Sequence, residues 1–117
     1  DSLHNYFYPL RVRPRSRVVA LRESGGIAWP MPGHEPPRRA YGYGTAKSRA
    51  ELTARWKKLQ LETVLPQLRN GLSALVSDVE DEVNGLFTYD RAAIKPDPAA
   101  VRAVNQALEA AFEKIVE

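Results

Sequence analysis

Residues 61–86 read LETVLPQLRNGLSALVSDVEDEVNGL, and the way that stretch folds decides the architecture. Its large apolar side chains, Leu61, Leu65, Leu68, Leu72, Leu75, Val79, Val83 and Leu86, recur at steps of four and three residues. Such spacing returns to one side of a helix and predicts an amphipathic helix. Just upstream, Leu52, Trp56 and Leu59 follow the same rule about two residues out of phase. Pro66 sits where the phase changes. Proline has no amide hydrogen to donate and its ring crowds the carbonyl four residues back, so a kink or break is expected near 62–66.

The ends of these helices carry their own signals. Ser48-Arg49-Ala50-Glu51 has the pattern of a capping box, in which the serine hydroxyl serves the third amide and the glutamate reaches back. Asn84-Gly85 reads as a stop. Further on, Asp97 and Pro98 stand in the order favoured at an N-cap and the first helical position. Behind them runs an apolar stripe of Val101, Val104, Leu108, Ala111, Phe112 and Ile115. Residues 89–96 read as a connector containing one helical turn from Asp90. Helices are therefore expected at about 48–64, 66–84 and 98–116. With the last two lying antiparallel, the fold class is all-α, a small helical hairpin or bundle over 48–117. Its facing or partner-facing residues would be Leu65, Leu68, Leu72, Leu75, Val79 and Val83.

Residues 1–47 have a different composition, with six of the nine prolines and five of the seven glycines. Both residue types oppose a helix, so this part is expected to be an extended arm. One short β-hairpin fits within it, residues 17–21 and 27–29 flanking the turn Glu23-Ser24-Gly25-Gly26. A lone hairpin is marginal in water, and the arm would order on a neighbouring surface.

Charge divides the chain in the same way. The net charge is +3, but residues 1–58 hold twelve Lys/Arg against four Asp/Glu, and residues 59–117 hold five against ten. A basic arm on an acidic body can meet phosphate or an acidic protein surface through the arm alone. Arg11, Arg13, Arg15 and Arg17 alternate, and on an extended backbone they would project to one side about 6.6 Å apart, close to the phosphate spacing of a single strand. Arg38, Arg39, Tyr41, Tyr43, Lys47 and Arg49 mix cations, aromatic rings and glycines. That mixture can stack on bases, and it equally suits a protein groove, where Tyr and Arg are favoured anchors.

Catalytic chemistry finds no foothold. There are no cysteines, and His4 and His34 lie far apart without metal-ligand spacing. Ser24, Ser48, Ser73 and Ser77 have no histidine at a readable distance, and Gly42-x-Gly44 lacks the rest of a dinucleotide motif. Asp78, Glu80, Asp81 and Glu82 read as a solvated or partner-facing patch. No apolar run approaches the ~20 residues needed to span a bilayer. The chain begins at Asp1 without a methionine, for which a cleaved targeting peptide is one ordinary explanation and a sequence that starts short of the true N-terminus another. The expectation is a non-catalytic structural subunit of a large assembly, without a cofactor. A mitochondrial ribosomal protein on the matrix side leads, its arm contacting rRNA or neighbouring subunits. An accessory subunit of a respiratory-chain or ATP-synthase complex comes next, and a virion structural protein third.

Overall fold

The computed structural model describes residues 2–6, 11, 13, 19–35, 42–70, 72–74, 85–88 and 90–116. Helix predominates over strand among them, as the apolar periodicity predicts, and the helices all lie beyond residue 48. The fold is nevertheless not all-α. Strand β1 (Ser2–Asn5), strand β2 (Val19–Ser24) and strand β3 (Leu72–Ala74) form one parallel sheet in the order β1-β2-β3.

The centre of this sheet is β2, and its sequence shows why. Val19 and Leu21 alternate along the strand and are both buried, packed with Val64 and with the partly buried Leu3 of β1. A strand with a buried face must satisfy its amides and carbonyls along both edges. On one edge Leu3 pairs with Leu21, and the register slips by one residue before His4 meets Glu23. On the other, Val19, Ala20 and Leu21 pair with Leu72, Ser73 and Ala74. The expected hairpin of 17–21 with 27–29 is therefore replaced, because β2 has partners on both sides. Gly25 and Gly26 do turn the chain, with φ of 83° and 61°. The turn, however, leads residues 26–28 into a separate parallel pairing with 43–46. Tyr43 donates its amide to the Gly26 carbonyl (2.8 Å), Ala28 to Gly44 (2.6 Å) and Ala46 to Ala28 (2.8 Å).

Helix α1 (Arg49–Lys58) starts at its expected cap: the Glu51 amide donates to Ser48 Oγ at 3.1 Å. The glutamate reaches one residue further back than a capping box requires, accepting from the Lys47 amide at 3.0 Å. Leu52 and Trp56 are buried, as their spacing implies. Beyond Lys58 the helix loosens into a π turn (Leu59–Val64) and then tightens into a 3₁₀ segment (Leu65–Asn70). The Leu65 amide donates to Gln60, five residues back. Widening just before Pro66 gives its ring room beside the Glu62 carbonyl, so the proline marks a break in α geometry.

The expected helix over 66–84 is corrected at two places. Residues 66–70 are 3₁₀, and Leu72 lies in β3. Leucines at helical spacing lost to the open edge of β2, helped by Pro66 and Gly71, which both disfavour an α-helix through this region. Val64, which lies off the leucine stripe, is the residue that reaches the core, while Leu61 and Leu65 are half-buried. Leu75, Val79 and Val83, the acidic cluster and Asn84 lie outside the described residues.

Helix α2 (Pro98–Val116) begins at its expected residue. Asp97 Oδ1 accepts from the Ala99 amide at 3.2 Å. The helix packs on α1 and on the 3₁₀ segment, with Val104 buried. Thr53 ties the two helices: its hydroxyl donates to the Arg49 carbonyl (2.8 Å) and accepts from the Asp97 amide (2.9 Å).

Candidate functional site

Three surfaces emerge: the basic connection between β1 and β2, the Tyr/Gly crossing, and a groove beside α2. On the connection, Arg11 and Arg13 are both exposed. The strands on either side, β1 and β2, pair with each other in parallel, while most of the residues that carry these cations lie outside the described residues. Arg15 and Arg17, like Arg38, Arg39 and Tyr41, lie outside the described residues.

The Tyr/Gly crossing explains two glycines. A Cβ on Gly42 would collide with Ala28, and one on Gly26 would collide with the Tyr43 ring. Tyr43 stacks on Tyr6, with ring centroids 3.9 Å apart and planes at 19°. Tyr43, which the sequence offers as a base or groove contact, thus has one face occupied by the residue following β1. Lys47 and Arg49 stay exposed at the start of α1. Arg55 closes the crossing from the helix side, donating from Nη1 to the Thr45 carbonyl at 3.1 Å.

Residues 86–88 and 92–95 run antiparallel as a short hairpin where one helical turn from Asp90 was expected. Phe87 bridges Ile94, and the Lys95 amide donates to the Leu86 carbonyl at 2.8 Å. Its tip turns through Arg91 at φ 60°, held by Asp90, whose Oδ1 accepts from the Thr88 hydroxyl (2.6 Å) and the Ala92 amide (3.0 Å). Local hydrogen bonding by an aspartate is a common alternative to a helical start, which is why Asp90 suggested one. Asp90 Oδ2 meets His34 Nδ1 at 2.7 Å, a contact across 56 residues. The Thr88 hydroxyl, then His34, then the Ala92 amide hold the Asp90 carboxyl well below the usual carboxylate range. An ionised carboxylate only accepts, so Nδ1 carries the proton. The Thr88 hydroxyl has a single proton and its shortest contact is to Asp90, so the cluster works as a tether between 31–35 and the hairpin.

Beside this hairpin lies a groove of about 450 Å³, floored by Leu86, Phe87, Ile94 and Val101 and edged by Arg102 and Glu109. Phe87 and Ile94 are 46% and 39% exposed, and at the far end of α2 Phe112 and Ile115 are 53% and 39% exposed. No family model matches the chain, and no curated protein matches it either.

The His34–Asp90 contact was invisible in the sequence, because nothing in residue spacing links positions so far apart. The hairpin did leave a trace: Phe87-Thr88 and Ala93-Ile94 are short β-type runs around a turn. Among the described residues no group of three or more His, Asp or Glu side chains is placed to hold a metal, and no helix is long and apolar enough to cross a membrane.

Proposed function

We propose that the chain is a non-catalytic structural subunit of a large assembly that presents the basic residues of its N-terminal part to RNA. The supporting observation is the pair Arg11 and Arg13, two residues apart and both exposed, on the connection between β1 and β2. The Arg/Tyr/Gly composition of 38–49 is compatible with the same partner and equally with a protein groove. A mitochondrial ribosome, matrix side, is the specific assembly we propose. The exposed Phe87, Ile94, Phe112 and Ile115 favour a second reading, an accessory subunit of a respiratory-chain or ATP-synthase complex, in which the surface meets protein.

The test is binding of the full chain to a labelled single-stranded RNA across a salt series. Affinity should fall steeply with salt, and Arg11→Ala with Arg13→Ala should flatten the log–log slope by about 0.7 for each phosphate no longer neutralised. Salt-insensitive binding, or an unchanged slope in the double variant, would overturn the RNA reading in favour of a protein surface.

A further inference from the structure

The two ends of α2 repeat one pattern with opposite charge. Val101 and Arg102 stand at the groove, and Phe112 and Glu113 stand eleven residues later. At about 100° per residue, eleven residues return to within about 20° of the same line, some 16 Å further along the axis. Each end therefore has an apolar position flanked on the same side by a charge, Arg102 at one and Glu113 at the other. The N-terminal end is concave, formed with Phe87 and Ile94 of the hairpin. At the C-terminal end Phe112 is more than half exposed and free to protrude. Among the described residues neither Arg102 nor Glu113 has an ion-pair partner.

From this complementarity we infer that the occupant of the groove is a second copy of this chain, in an antiparallel α2–α2 pair. A two-fold axis perpendicular to the plane of two antiparallel helices exchanges their ends and keeps like flanks together. Phe112 of each copy then enters the groove of the other beside Phe87 and Ile94. Glu113 comes level with Arg102 on the shared flank, and the same contacts repeat by symmetry. A parallel pair would put the two copies of Arg102 on opposite flanks, away from Glu113, and set Phe112 level with Phe112, outside the groove. The inference goes beyond the RNA reading, since it uses none of the basic residues of the N-terminal part.

Sedimentation equilibrium of the full chain over a wide concentration range tests it. A monomer–dimer equilibrium is expected. Phe112→Glu should weaken it roughly thirtyfold or more, the size of effect typical of a buried aromatic anchor. Arg102→Glu and Glu113→Arg should each weaken it roughly tenfold, by setting like charges opposite each other. The double variant Arg102→Glu/Glu113→Arg should recover most of that loss. Both positions are exposed, so circular dichroism should show an unchanged fold in every charge variant. A chain that stays monomeric throughout, a dimer indifferent to Phe112→Glu, or a charge swap without recovery would each overturn the inference.

Discussion

Helix α2 and the segment from Leu59 to Ala74 carry the same apolar spacing of three and four, yet only α2 is a regular helix. α2 has an aspartate cap, a proline at its first position and no interior proline or glycine. The other segment has Pro66 and Gly71 inside it and the edge of β2 beside it. Apolar periodicity says which residues seek the core. Interior breakers, and the hydrogen-bonding needs of neighbouring strands, decide what backbone they adopt on the way there.

The difference between the two regions is sharpest at β2, so the largest expected effect lies there. Leu21→Asp would place a charge in the centre of the sheet, where Leu21 is 1% exposed, and should cost roughly 3–5 kcal/mol. Thermal unfolding followed on the α2 signal should reveal it. A melt unmoved by the substitution would mean that α2 folds without the sheet.

Gly42→Ala comes next. Its methyl group meets Ala28, so the parallel crossing has to shift, at a cost of about 1–3 kcal/mol. Denaturant midpoints would measure it, and a neutral substitution would show that the crossing is loose. Ser48→Ala removes the acceptor for the Glu51 amide and should cost about 1 kcal/mol by the same measurement.

Much of the helical part was legible because its signals are local. Ser48 and Glu51, Asp97 and Pro98, and the Leu52–Trp56 pair each act within a turn or two of chain. Pro66 was legible as a break, while the π and 3₁₀ turns on either side of it were not. The parallel sheet was hidden for a physical reason. Its strands lie far apart in sequence, β3 has only three residues, and parallel pairing needs long crossovers without a turn signature. Of the candidate site, the cations of the arm were legible by composition. The groove needed the fold, because Phe87 and Ile94 come together with Val101 only once the hairpin is seated against α2.

Two smaller effects refine the comparison. Pro66→Ala should let α geometry extend through the π and 3₁₀ segment, raising the helical dichroism by about one turn's worth of residues. No gain would mean that β3 pairing, more than the proline, sets the local backbone. The His34–Asp90 tether should respond to acid. The Asp90 carboxyl titrates below its ordinary range when folded, so its contribution is complete above the ordinary carboxylate pKa and is lost as pH falls through the depressed value. An NMR titration of the Asp90 carboxyl carbon should show a depressed midpoint that moves up in Thr88→Val and, by less, in His34→Ala. An ordinary midpoint in the unaltered chain would remove the tether.

Amide hydrogen exchange along Val19–Ser24 tests the parallel sheet most directly. Ala20 and Leu21, paired on both edges, should exchange as slowly as the middle of α2, and Leu21→Asp should release both regions together. Exchange across Val19–Ser24 at the rate of a free chain, with α2 still protected, would contradict a sheet built around β2.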